Sequence, residues 1–478
     1  MTKRIRLISP ALAVILWLLL PSLGLAQSEM LSFPWGQFVA STVSFLVPVG
    51  IILVAIAALP PEQAPRAGLA ALLAAALGAL AYWAAGFALQ FGGIGLIHDI
   101  PTLRDLSWEW SLLDVSWGPG WGMAGLRGFF LSYGASSPHG LALFLSHLPW
   151  VMTASALPGI VLSARKRTGA AFLFSIVLGG LLYPLFGNWV WGGGWLANLG
   201  QTRSLGHGFV DFGGSSAPFL LAGSIGLAAL LLWRSKRARS AEPQMPAPHL
   251  PLVAMLGLFL TLAGASGWLL ASPQAASAGD ALPRAAVNAV LSCLGGGLVA
   301  GFYTWFVARK VDLFMTARGA LAGLVASLGC APFMPAWAGW AVGAVAGLLL
   351  PLVIYLVDHV LNLADDTAIV ATFGVAGLIG TLAPGLLADG LYGAGWNGVG
   401  AERFLGVDGL GVTGLLAHVG TVAGWEGQMV AQLAGAGVVL VWGFVLPWAL
   451  GRLIQGVGSL LAKASAASTS SPRGSAGS

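Results

Sequence analysis

Apolar stretches of about twenty residues, nearly free of charge, follow one another from residue 37 to residue 453, and this feature limits what the chain can become. A helix rises about 1.5 Å per residue, so each stretch is long enough to cross a hydrocarbon core of ~30 Å. Inside such a core every backbone amide must be bonded within helices or a closed barrel. The runs are apolar on all sides and rich in glycine, whereas barrel strands would be about ten residues long and would alternate. The sequence therefore predicts an all-α integral membrane protein. Its eleven spans are expected near 37–59, 67–93, 138–163, 169–191, 212–233, 250–272, 285–308, 316–333, 337–357, 367–389 and 426–453, forming one membrane domain over 37–453.

Composition excludes other classes. Of 478 residues, 57% are hydrophobic and 8% charged, against about 25% charged in a soluble globular chain. A cytosolic enzyme, a disordered chain and a disulfide scaffold are all ruled out. Cys293 and Cys330 both sit in apolar runs and read as small buried hydrophobes. The net charge of +5 does not mark a nucleic-acid binder, because the basic residues are spread between the spans. They report topology instead. Lys3, Arg4 and Arg6 precede the apolar run 7–25 and the small residues Gly24 and Ala26, the order of a signal peptide over 1–26; an uncleaved first helix is the alternative. With the N-terminus outside and eleven spans, fourteen Lys and Arg lie inside and five outside, so the expected topology is N-out/C-in. The Ser/Ala/Gly-rich segment 454–478 is expected to be a short disordered cytoplasmic tail. Gly297 and Gly301, Gly319 and Gly323, and Gly343 and Gly347 are spaced for close helix packing.

The motif-bearing region begins at Gly187 with Gly-Asn-Trp-Val-Trp-Gly-Gly-Gly-Trp. It continues from Gly206 as Gly-His-Gly-Phe-Val-Asp-Phe-Gly-Gly-Ser-Ser-Ala-Pro-Phe-Leu-Leu-Ala-Gly. This resembles the ammonium-transporter family (Amt/Rh/MEP), in which a Trp-Gly-Gly-Gly stretch precedes an Asp-Phe-Ala-Gly signature. The segments 85–92, 318–325, 373–380 and 411–416, and the pair Asp365-Asp366, resemble family segments in the same order. The resemblance implies a homotrimer in the bacterial inner or plasma membrane. Each subunit would hold an inverted 5+5 helix repeat, a last helix and a narrow pore for ammonium or ammonia. No cofactor, metal or enzymatic activity is implied.

Residue by residue, Trp191 falls at the family's vestibule Trp, where an aromatic face attracts a small cation. Ser272 falls where a Ser accepts an ammonium hydrogen, and Trp268 at a gate-Phe position. Plain interfacial or core packing is the alternative for each. Asp211 corresponds to the Asp that organises recruitment, and it also suits an N-cap of the fifth span. The resemblance places the family's two pore histidines at Phe219 and Phe373, and no His occurs in 208–248 or 360–417. Phenyl neither donates nor accepts protons, so the usual relay is absent and passage of a neutral molecule is expected. The alternative is a non-conducting member, sealed by the two rings, that acts as a sensor or assembly partner. His147 lies in mid-span and is a candidate for a pore-facing group or for an interhelical hydrogen bond. Arg318 stands where the family often has Asn and is expected to snorkel or to plug the inner mouth. The tail lacks the family's acidic regulatory segment, so a PII-type signal protein is not an expected partner.

Overall fold

The computed structural model describes residues 35–98, 100–111, 122–234, 249–272, 279–404, 407–416 and 425–469. The expected signal segment lies outside these residues. The helices run, in chain order, α1 Trp35–Ala57, α2 Ala64–Leu96, α3 Pro138–Ala164, α4 Thr168–Trp191, α5 Ser215–Leu232, α6 Leu250–Leu270 and α7 Leu282–Ala308. They continue with α8 Leu313–Leu328, α9 Ala336–Val360, α10 Val370–Leu387 and α11 Trp425–Thr469. Ten of these described helices are long and apolar enough to cross a membrane.

The eleventh, α8, has only 16 residues. The sequence predicts apolar chain to residue 333 there, but Pro332 lacks an amide hydrogen and disfavours helix at Ala331, so the helix gives way to turns. The opposite difference occurs at the C-terminal end. The helix α11 runs on to Thr469, so the disorder expected from residue 454 does not hold for 454–469, a stretch with good helix formers such as Leu460, Ala462 and Ala464. Residues 470–478 are outside the described chain. Two short antiparallel pairs, Glu109–Trp110 with Ala124–Gly125 and Arg403–Phe404 with Val407–Asp408, lie in the loops.

Packing in the first five helices recurs in the next five. The pairs α2–α3, α2–α4, α3–α4 and α3–α5 are matched by α7–α8, α7–α9, α8–α9 and α8–α10. Across the halves α1 packs on α6 and α5 on α10, while α11 lies against α5 and α10. Four irregular π-turns repeat with the same pattern, at Leu178–Leu182 in α4 and Leu356–Val360 in α9, and at Ser215–Leu220 in α5 and Val370–Val375 in α10, while a fifth, Tyr82–Gly86 in α2, has no counterpart in α7. Such one-turn widenings interrupt regular helix bonding and often mark functional positions.

Small residues set the contacts, because lipid supplies little hydrophobic drive between helices. Gly319, Gly323, Gly343 and Gly347 all press on α7, at Ser292, Gly296 and Ala300. A methyl on Gly297 or Gly301, expected to be close-packed, would first meet side-chain atoms of Ala320 and Thr316, at 3.2 and 3.1 Å. Among the α7 glycines the tightest backbone approach is thus one residue earlier, at Gly296, against Gly319. Where α5 crosses α10, a methyl on Gly223 would fall onto the backbone of Gly374. We expect Gly223→Ala to cost about 1–3 kcal/mol by forcing the helices apart. Thermal unfolding of the detergent-solubilised protein checks this, with Gly437→Ala, which meets nothing within 4 Å, as the control expected to lose no stability.

Candidate functional site

The loop between α4 and α5 ends in a carboxylate that replaces missing helix bonds. Asp211 Oδ1 accepts from the amides of Gly214 (3.0 Å) and Ser215 (2.8 Å). Its Oδ2 accepts from the Ser216 amide (2.8 Å) and the Ser216 hydroxyl. These are amides that a helix start leaves unbonded, and four donors suit one carboxylate. Gly214, at φ +81, makes the turn that brings them together.

The backbone of the same segment faces the other way. Trp191 Nε1 donates to the Asp211 carbonyl (2.8 Å), Ser272 Oγ to that of Phe212 (3.0 Å), and Trp268 Nε1 to that of Gly213 (2.8 Å). Three successive carbonyls therefore hold the three side chains expected in the vestibule, although α4, α6 and the turn after α6 supply them from distant parts of the chain. Asp211 joins this set through its carbonyl, while its carboxylate is consumed by α5. Asp211 thus caps the start of α5 with its carboxylate and holds the Trp191 indole with its carbonyl.

Glutamines in α11 brace the approach to Asp211. Gln428 accepts from the His207 amide (2.9 Å) and donates to the Gly208 carbonyl (2.8 Å), and Gln432 accepts from the Val210 amide (2.8 Å). His207 Nε2 and the Leu410 carbonyl are 3.0 Å apart. Burial pushes the His207 imidazole down to about 4, so the ring is neutral at pH 7 and Nε2 is the donor.

From this anchor a continuous series of rings leads into the bundle. Trp191 meets Trp150 edge-on at 5.2 Å, Trp150 stacks on Trp268 at 4.9 Å, Trp268 is 5.9 Å from Phe219, and Phe219 stacks on Phe373 at 6.0 Å with planes 13° apart. All five side chains are buried. Beside Phe219 and Trp268, residues of α1, α6 and α8 enclose an almost wholly apolar cavity of about 10 Å³, including Ile51, Ala265 and Leu324.

The second half builds its side of the stack with the same spacing. Phe219 follows Asp211 by eight residues, and Phe373 follows Asp365 by eight. Asp365 Oδ2 accepts from the Val370 amide (3.2 Å) and Oδ1 from the Thr367 hydroxyl (2.6 Å), at the start of α10. Asp365 is thus the structural counterpart of Asp211. Arg318 neither snorkels outward nor stands free, since its Nη2 donates to the Asp366 carbonyl (2.7 Å). Arg165, after α3, donates to the carbonyls of Trp233 (2.6 Å), Leu363 and Ala364 (3.0 Å), tying the ends of α3 and α5 to the segment before α10.

His147 of α3 is fully buried next to Trp150 and Trp191, with ring centroids at 5.0 and 5.4 Å. Its Nδ1 lies 3.3 Å from Gln90 Nε2 and 3.0 Å from Tyr183 Oη. The interhelical reading therefore holds, from α3 to α2 and α4, and the ring also borders the aromatic series. Sequence reasoning missed four kinds of participant: Trp150, Gln428 and Gln432, Gln90, and the tyrosines Tyr82 and Tyr183. The glutamine pair had a signal, two amides four residues apart on one face of an apolar helix. Trp150 had only its place one turn after His147.

A polytopic helical bundle with a doubled packing pattern, and with capped π-turns meeting at a central aromatic stack, defines a membrane protein of the transporter class. The profile of the Ammonium Transporter Family matches residues 35–470, and the chain belongs to that family. Ammonium transporter Amt2 of Archaeoglobus fulgidus is 29% identical over 388 residues, covering 79% of this chain and 74% of that one. Among solved structures, a Sensor Amt Protein superposes with a TM-score of 0.67 at 19% identity, over 88% of this chain and 93% of its own. The crystal structure of Candida albicans Mep2 gives 0.65 at 22% identity, over 88% and 84%. These two likenesses concern the fold.

Proposed function

We propose that this chain recruits ammonium at one membrane face and passes it as neutral ammonia, without a histidine relay. The observation that carries this reading is the hanging of Trp191, Ser272 and Trp268 on three successive carbonyls at the head of the Phe219–Phe373 stack. The Trp191 face offers a cation roughly 0.5–2 kcal/mol. Ser272 gives its hydrogen to Phe212, so its oxygen lone pairs are left for an ammonium N–H. At Phe219 and Phe373, which take the place of the family's pore histidines, a cation finds no acceptor and its burial is far costlier than that of ammonia. The proton therefore passes to water at the entry face, since the Asp211 carboxylate is already occupied by four donors. In this reading α8 completes eleven spans in an inverted 5+5 repeat, N-out/C-in, with Asp211 outside. Three copies assemble in the cell membrane after removal of the signal segment.

The close ring stack favours a second reading, a sealed member that senses ammonium. Reconstituted vesicles decide between them. Given an inward ammonium gradient, entering ammonia takes up lumenal protons; we expect faster alkalinisation than in protein-free vesicles, without current. Alkalinisation no faster than in empty vesicles rejects transport in favour of the sealed reading, and a matching current rejects the neutral species.

A further inference from the structure

Two buried N–H groups beside the aromatic series lack acceptors among the described residues, His147 Nε2 and Trp150 Nε1. The neighbouring indoles differ, since Trp191 and Trp268 each donate to a carbonyl. The state of the imidazole follows from its partners. Tyr82 Oη donates to Gln90 Oε1 (2.9 Å), which turns the Gln90 amide nitrogen toward His147 Nδ1. An amide nitrogen only donates, so Nδ1 accepts and the ring hydrogen sits on Nε2. Around the imidazole stand Phe91, Trp150, Trp191 and, on its Nδ1 side, Tyr183, with ring centroids 4.9 to 6.4 Å from that of His147.

We propose that His147 Nε2–H binds a small uncharged hydrogen-bond acceptor, the free-base form of ammonia or a short amine, within this aromatic cage. The inference deepens the transport reading, on which its physiological meaning rests. Ammonia has a lone pair and the ammonium ion has none, so an N–H donor separates the two forms by chemistry as well as by charge. An unmet buried donor is costly, which makes any acceptor that fits favourable. The cage borders the Trp191 and Trp150 end of the aromatic series, and it supplies one hydrogen bond where Phe219 and Phe373 supply none. His147 is thereby a specificity-determining residue for the neutral form.

The test is nitrogen NMR of the full chain in lipid nanodiscs with labelled histidine, the His147 signal being assigned by its loss in His147→Phe. Ammonium chloride is titrated at acidic pH, where the cation predominates, and at alkaline pH, where free base accumulates. The expected result is a proton on Nε2 and a saturable shift only in the alkaline series, weakened about tenfold in apparent Kd by Trp150→Phe, the equivalent of about 1.4 kcal/mol. A proton on Nδ1, an Nε2 resonance indifferent to ammonia (as for a site kept by water), or an equal response to the cation overturns the proposal. Should Trp150→Phe fail to fold, the wild-type titrations decide alone. No gradient is involved, so the two readings fail separately. A His147 response in vesicles that pass no ammonia rejects the channel and keeps the site; flux without a response does the reverse.

Discussion

Ammonia flux rises about a hundredfold when Phe219 and Phe373 are replaced together by histidine; this is the largest functional change we expect from two substitutions. Each phenyl ring leaves a passing ammonia short of a hydrogen bond, at roughly 1–3 kcal/mol per unmade bond, and about 2.7 kcal/mol in a barrier corresponds to a hundredfold. Imidazoles at these two positions would each offer the permeant a ring nitrogen that donates or accepts a hydrogen bond. Either single substitution gives a smaller gain, because one polar ring is then buried against a phenyl. Stopped-flow alkalinisation of vesicles measures all three variants. A folded double variant with wild-type flux removes these rings from the rate-limiting barrier.

Asp211→Ala has the largest expected effect on stability. It strips the acceptor from three buried amides and one buried hydroxyl at once. At about 1–3 kcal/mol for each unmet donor, the loss reaches about 4 kcal/mol or more, a large part of the stability of an ordinary domain. It also releases the carbonyls that hold Trp191, Ser272 and Trp268. The expected outcome is little or no monodisperse protein after solubilisation. Asp211→Asn, which keeps one acceptor oxygen, is expected to be intermediate in yield and in thermal unfolding. An alanine variant as stable as wild type would mean that the α5 amides find other partners.

The existence of the helices was legible in the chain because crossing a hydrocarbon layer is a matter of local length and composition. Their ends were less so. The apolar run through 333 contains Pro332, whose missing amide stops α8 at Leu328, and the small residues after 453, read as disorder, continue α11. Part of the site was legible too. The eight-residue spacing from Asp to Phe occurs twice in the letters, and the stretch from Trp191 to Asp211 carries the family's pattern.

Which side chains actually meet depended on tertiary structure. His147 and Gln90 are 57 positions apart, and Gln428 braces His207 from 221 positions away. Hydrophobicity places a segment in the membrane without specifying how it turns about its own axis. Hydrogen bonds and ring contacts act over a few ångströms and in set directions, so that rotation decides them. Packing at Gly223 against Gly374 and at Gly296 against Gly319 sets such rotations. The contact of α5 with α10 turns two phenyl rings face to face, and on α3 the N–H groups of His147 and Trp150 are without an acceptor among the described residues.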